Sequence, residues 1–416
     1  MPRQSANLWR HADFLKLWIG QTISEVGSRI SRDGLPLTAV MVLGATSAQM
    51  GVLLAVGTSA TLLFGLGVGV LVDRLRRRPV LIWADLGRAL VLSWVPLAFM
   101  MKILSLPQLY AVAALSGVLT VFFDVAYQSY LPSLVERAHV LEGNRKLGLS
   151  SSTAEILGPG LTGVLIQLIT APVAILFDAI SYLFSAGAVA LIRKPEPAPK
   201  PRADVHVWTE VSAGGRFLAH HPLLRALGGR AATHYFFGGF VASLYSLYAI
   251  RELHMSPAVL GLAIAVGGVG NLIGALVSER VVRRFGLGPT FVMMSVVVGF
   301  AFLLIPLAGV LTRFSVALMM TSQFVGDMAW SIYNIHDLSL RQSVTPDHVL
   351  GRVNAAMQLL TRGVFPAGAI LGGVLGGAIG LRGTLAVAGL GILLSSIWLI
   401  VSPVRKLREQ PAPVTI

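Results

Sequence analysis

Charged side chains share one face of a segment that is otherwise apolar. Glu25, Arg29, Arg32 and Asp33 follow Gln21 with Ser28 among them, largely at intervals of three to four residues. That spacing brings side chains to one side of a helix. Glu25 falls ~16 Å into the run at about 1.5 Å per residue. Arg29 stands one turn further and can pair with it, and Asp33 can pair with Arg29 in turn. A charge in hydrocarbon costs about 2.5–3.5 kcal/mol on insertion scales, so such a face is turned away from lipid. Desolvation favours the neutral form of a carboxylate placed there, and a nearby arginine favours the charged form. A structure that alternately exposes and pairs it takes up and releases a proton. The alternative is a locked ion pair that only holds helices together. Asp327, in the middle of a later apolar run, offers the same chemistry. Arg230 with His234, and His336 with Asp337, also interrupt apolar runs. Both histidines can titrate near neutral pH unless a neighbouring helix satisfies them.

The elements that position these groups are set by the solvent. With 55% hydrophobic residues, 12% charged and 44 glycines in 416 residues, the chain would overfill a soluble core and belongs in a bilayer. Apolar runs of about 20 residues, enough to cross roughly 30 Å of hydrocarbon, fall at 14–43, 48–72, 79–101, 105–130, 147–170, 172–193, 223–250, 258–281, 289–311, 314–338, 354–379 and 382–402. The expected architecture is an all-α integral membrane protein of twelve spans. Its expected organisation is an N-terminal six-helix bundle (1–193), a cytoplasmic linker (194–222), a C-terminal six-helix bundle (223–403) and a tail (404–416).

A repeat supports this division. At an offset of 210 residues, Gly51 meets Gly261, Gly57 meets Gly267, Arg74 meets Arg284, Ser129 meets Ser339, Asn144 meets Asn354, and Gly158 and Gly163 meet Gly368 and Gly373. A duplicated hydrophobic chain implies two similar bundles with a cargo site near the bilayer midplane. With the N-terminus inside, the inner segments and adjoining helix ends hold 23 Lys and Arg, while the outer loops hold four: Lys102, Arg251, Arg313 and Arg382. This positive-inside bias places both termini in the cytoplasm, in an inner or plasma membrane. It also accounts for the net charge of +14 without a nucleic-acid partner. There is no cysteine, hence no disulfide or thiol chemistry. Between the halves, PEPAPKPRAD (195–204) reads as an extended linker. It leads into a weakly amphipathic stretch with Trp208, Val211, Phe217 and Leu218, which lies along the membrane face or is a solvated connector.

After the second span the chain reads GVLVDRLRRRP (69–79). Gly69, Asp73, Arg74, Arg77 and Arg78 resemble the signature loop of the major facilitator superfamily, with Arg76 where that family usually has glycine. The duplicate loop restores a glycine, Gly286, and loses the acid. The resemblance extends through ADLGRAL (84–90), FFDVAYQSYLPSLV (122–135), GNRKLGLSSSTAEILGPGLTG (143–163), FDAISYLFSA (177–186) and SLRQSVTPDHVLGRVNAA (339–356). It narrows to the branch of macrolide-type efflux proteins and enterobactin-type siderophore exporters. It implies two six-helix bundles that rock about a central cavity lined by the first, fourth, seventh and tenth spans. By this resemblance Gly69, Asp73, Arg74 and Arg77 are gating residues, with Asp73 pairing with the arginines or meeting a helix N-terminus. Glu25, Arg29, Arg32, Asp33, Arg230, His234 and Asp327 are the expected proton-coupling and cavity residues.

Other features have structural readings. Asp85 with Arg88, Asp124, Asp178, and Glu155 with Arg362 are expected to be satisfied by neighbours. Glycines four apart, as in Gly368, Gly372, Gly376 and Gly380, let helices approach closely. Trp18, Tyr235, Phe236, Trp330 and Tyr333 can line a promiscuous cavity. No P-loop, HExxH or GxSxG is present, so neither an enzyme nor a directly ATP-driven pump is expected. The expected function is a monomeric, proton-coupled exporter of amphipathic small molecules, in contact with membrane lipid, using no cofactor beyond H⁺. An importer or lipid carrier of the same fold, and a transporter-like sensor, remain open on sequence alone.

Overall fold

The computed structural model describes residues 8–196 and 207–411; the side chains at 66, 70, 73 and 207–211 lie outside the description. The Asp73 carboxylate, Trp208, Val211 and the linker beyond Glu196 therefore fall outside the described residues. Every regular element among those described is helical: α1 (Ala12–Met41), α2 (Ser47–Asp73), α3 (Arg77–Met100), α4 (Leu106–Leu134), α5 (Val140–Ile169), α6 (Ala171–Ala190), α7 (Val207–His220), α8 (Pro222–Arg251), α9 (Pro257–Phe285), α10 (Leu287–Ala308), α11 (Ser315–Val344), α12 (Asp347–Leu394) and α13 (Ile397–Ile400). Helix starts follow local chemistry. His11 Nδ1 accepts the Phe14 N–H at 3.0 Å, and Gln108 reaches back to the Ser105 N–H at 3.0 Å. Pro222 and Pro257 sit at first helical positions, where a missing N–H costs nothing.

Among the described residues, eight helical stretches are long and apolar enough to cross a membrane: α2 to Gly65, α3, α4, α5 with the turn before it, α6, α9, α10, and α12 with α13. The other three long helices, α1, α8 and α11, have 30 residues each. They are the ones that carry most of the mid-helix charge, which lowers their apolar character without shortening them.

The chain divides into two units. The first comprises Met1–Gly44 with Val56–Asp204, the second Ala45–Ala55 with Val205–Ile416, so α2 contributes to both. In the first, α1 packs on α5 and α6, and α3 on α4 and α6; in the second, α8 packs on α12, α9 on α11, and α10 on α11 and α12. The core of the first unit is centred on Phe14, Leu17, Leu81, Phe123, Tyr130, Leu131 and Leu134. Helix α7 packs against α12 and α8. It docks on the second unit, where a methyl group on Gly214 would collide with the Arg352 carbonyl.

The duplication is written in the backbone. Left-handed residues recur at the same offset: Gly44 (φ 62°) with His254 (φ 51°), and Thr170 (φ 79°) with Gly380 (φ 80°). The α1 end closes with Val42 and Leu43 N–H groups on the Thr38 carbonyl, and the α8 end with Glu252 and Leu253 on that of Tyr248. Thr170 is the whole junction between α5 and α6. At Gly380 the helix axis breaks in the same way, so the two expected spans 354–379 and 382–402 are two helical limbs joined at a single residue. The missing glycine at Arg76 also has an answer. Arg76 is extended (φ −71°, ψ 129°), whereas Gly286 turns with φ 86°.

Thr170 holds a β-branched side chain where almost only glycine is comfortable, a strain of about 1–3 kcal/mol. Thr170→Gly is expected to raise the melting temperature of the purified protein despite glycine's entropic cost. Gly380→Thr is expected to lower it by a comparable amount.

Candidate functional site

The Arg29 guanidinium does not turn to Glu25. It crosses to α5, where Nη1 and Nη2 meet the two oxygens of Glu155 at 2.8 and 2.5 Å. Arg32 lies 4.0 Å from the same carboxylate, and Asp33 adds a second negative charge within electrostatic reach of both arginines. The intrahelical pairing expected from spacing is thus replaced by an interhelical one. The physical reason is the fork itself. A carboxylate facing Arg29 across the helix boundary accepts two parallel hydrogen bonds, which a side chain one turn along the same helix cannot easily match. Gly158, one turn beyond Glu155, makes room: a Cβ there would collide with the Arg29 stem. Glu25 is half-buried and acts electrostatically on Tyr127 of α4. Glu155 sits ~22 Å into α5 at about 1.5 Å per residue. Sequence reading treated it as structural, and the signal available was its depth in an apolar run.

The second unit uses the equivalent positions differently. Arg29, Glu155 and Gly158 correspond to Gly239, Phe365 and Gly368. There α8 and α12 approach backbone to backbone, since methyl groups on Gly239 and Gly368 would strike the carbonyls of Phe365 and Phe236. No charge is involved.

Among the described residues each unit fully buries one guanidinium. Arg88 (4% exposed) pairs with Asp85 (0%) on α3, and lies 4.2 Å from the Phe123 ring centre and 4.1 Å from that of Tyr182. In the second unit Arg230 (1% exposed) lies 3.8 Å from Tyr333 and 5.0 Å from Trp330. Its Nε donates to Ser295 Oγ at 3.2 Å. Ser295 and Tyr333 are the equivalents of Asp85 and Phe123, so the guanidinium occupies the same place in both units but arrives from α3 in one and α8 in the other. Where Asp85 supplies charge to Arg88, Ser295 supplies only a hydroxyl. Arg230 draws instead on Asp337, itself paired with Arg341 at 3.0 Å.

Asp327 lies part-buried on α11 against Gly267 of α9, where a Cβ would collide with the carboxylate. It acts electrostatically on Tyr245 of α8. His234 stacks on Trp330, centroids 4.6 Å apart and planes within 10°, with Tyr235 and Phe302 edge-on. The aromatic residues singled out in the sequence as cavity candidates include Trp330, Tyr235 and Tyr333, and these converge here. Trp18 instead meets Trp9 edge-on. Among the described residues no three His, Asp or Glu side chains converge as metal ligands.

The signature loop is tied down by a residue from after α6. Glu196 accepts the backbone N–H groups of Arg77 and Arg78 at 2.7 and 3.0 Å, at the start of α3, and its carboxylate is 3.5 Å from Arg77 Nη1. Thus Glu196 meets the helix N-terminus and neutralises Arg77, the two roles expected of Asp73. At the same two positions of the second unit, the Leu287 and Gly288 N–H groups bond to the Arg408 and Leu407 carbonyls at 3.1 and 2.7 Å. Nearby, Asp13 accepts from Lys16 and from the Arg193 and Lys194 N–H groups. Partial burial raises the Asp13 pKa, and these bonds more than offset it, leaving the carboxyl below its usual range. Gly69 is not required by packing, because a Cβ there would meet nothing within 4 Å. Arg74 is exposed.

A family model described as a transmembrane secretion effector matches residues 5–414. The chain is 26% identical to the enterobactin exporter EntS of Citrobacter koseri over 97% of its own length and 95% of that protein's. It is 28% identical to the multidrug efflux pump Tap of Mycolicibacterium fortuitum over 85% and 86%. In fold it is similar to a bacterial homologue of the iron transporter ferroportin solved in an inward-facing state, with TM-score 0.75, 17% identity and coverage of 95% and 98%.

Removing one partner of a buried ion pair strands the other. Arg88→Leu is expected to destabilise by about 3–5 kcal/mol, and adding Asp85→Leu to recover much of the loss. Chemical denaturation of the single and double variants in detergent measures both.

Proposed function

Because this chain belongs to the transmembrane secretion effector family of the major facilitator superfamily, whose members are transporters, we propose that it is a proton-coupled exporter of amphipathic small molecules working by alternating access. Ten of its spans are α1–α6 and α8–α11, and the two limbs of α12 on either side of Gly380 make twelve. They form two pseudo-symmetric bundles, 1–193 and 223–403, joined by the linker 194–222 and followed by the tail 404–416. Both termini are cytoplasmic, as the distribution of Lys and Arg favours, and the chain works as a monomer.

The observation that carries this reading is the part-buried carboxylate at mid-helix in each unit, Glu25 on α1 and Asp327 on α11. Acids at that depth are costly in lipid and are kept where protons or cargo pass. Each acts electrostatically on a phenol, Tyr127 and Tyr245 respectively. Proton release from such an acid as it becomes exposed on one side, and uptake on the other, links a gradient to the motion. The outward direction is supported by the relatives, described as an enterobactin exporter and a multidrug efflux pump. The coupling ion is H⁺, with no further cofactor. The loop Gly69–Arg77 gates the inner side, with Glu196 as its anchor.

Transport in proteoliposomes under an imposed pH gradient, with a panel of dyes, macrolides and siderophores, tests the assignment. Glu25→Gln and Asp327→Asn are each expected to cut gradient-driven flux by about tenfold or more, as when an obligatory acid–base group is removed. Full flux in both variants rules out proton coupling through these acids.

A further inference from the structure

The pair Arg29–Glu155 is open to its surroundings. The Glu155 side chain is 50% exposed and that of Arg32 is 65% exposed, while Arg29 is 12% exposed. Charges this open at the depth of a bilayer centre require water, not lipid, beside them. Two further observations set the pair apart from a structural bridge. In the second unit the equivalent helices pack without any charge, through Gly239 and Gly368, so the fold does not need an ion pair at this place. And the Arg29 stem is seated over Gly158, so its guanidinium is held in position by packing as well as by its partner.

We propose that Arg29, assisted by Arg32, is a recognition site for the planar anionic group of an amphipathic cargo, and that Glu155 occupies it as a built-in substitute in this structure. The Glu155 carboxylate shows what the site accepts: two oxygens in the fork of one guanidinium, at 2.8 and 2.5 Å, with a second cation at 4.0 Å. An incoming carboxylate makes the same bonds. Glu155, already half in water, swings away at little desolvation cost. Asp33 offsets the charge of Arg32, so the site carries the selectivity of a single fork and releases its ligand readily. A lysine in place of Arg29 keeps the charge and loses the planar pair of donors.

This inference rests on the transporter reading and adds the class of cargo. Its test is binding, which is separable from proton-driven flux. Isothermal titration of the full-length protein in detergent with a naphthoate and its uncharged amide gives the ratio of the two affinities. Glu155→Gln is expected to raise naphthoate affinity about tenfold, roughly one charge-assisted hydrogen bond, and to leave the amide unchanged. Arg29→Lys, alone or with Glu155→Gln, is expected to remove the preference for the anion. An unchanged ratio in Glu155→Gln, or equal changes for both ligands, overturns the proposal. If Glu155→Gln does not yield a folded protein, a preserved ratio in Arg29→Lys overturns it equally. Absence of proton-driven flux in the parent protein, with the ratio shifting in these variants as expected, removes the exporter reading and leaves the anion site.

Discussion

A charge placed among apolar helices must be met by an opposite charge, a ring face or water, and the arrangement of this protein follows from how each charge is met. Asp85 and Arg88 meet each other and are sealed between Phe123 and Tyr182. Arg230 is met by Tyr333, Trp330 and a hydroxyl. Arg29 is met by Glu155 in a pair that stays open. The first two arrangements are fixed, since breaking them leaves an ion in low dielectric. The third is not, since its carboxylate is half exposed, and of these three it is the one that an outside partner can reach.

The two units keep one backbone plan and distribute polar groups over it independently. Left-handed corners, helix ends and the capping of α3 and α10 recur at one offset. What fills those places has drifted. A side-chain carboxylate caps one helix and two main-chain carbonyls cap its equivalent. A guanidinium comes from α3 in one unit and from α8 in the other. Gly20, the counterpart of Arg230, packs on Ala188 instead. The backbone geometry constrains the place where a charge can be held, and leaves open which helix supplies it.

Much of this was legible in the residues. The three-to-four spacing of Glu25, Arg29 and Arg32 does put them along one helix, and the apolar runs did become helices. Partners were harder to read. Pairing across helices depends on their rotation and offset, which no local period encodes, so spacing alone points Arg29 to Glu25 and gives Glu155 a structural reading. Local rules also hid alternatives. Arg76 implied a difficult turn, yet the chain is simply extended there, because Glu196 from a distant segment closes the helix start. The gap expected between spans 354–379 and 382–402 falls at Gly380. Its left-handed φ turns the chain within one residue, and Thr170 does the same without glycine's freedom.

Those two corners have a mechanical consequence. A single residue joins α5 to α6, and a single residue joins the two limbs of α12, each with its neighbours already locked in helical hydrogen bonds. Such joints have no slack. A tilt of one limb is handed to the other instead of being absorbed by a floppy connection, so each pair of limbs behaves as a rigid bent lever.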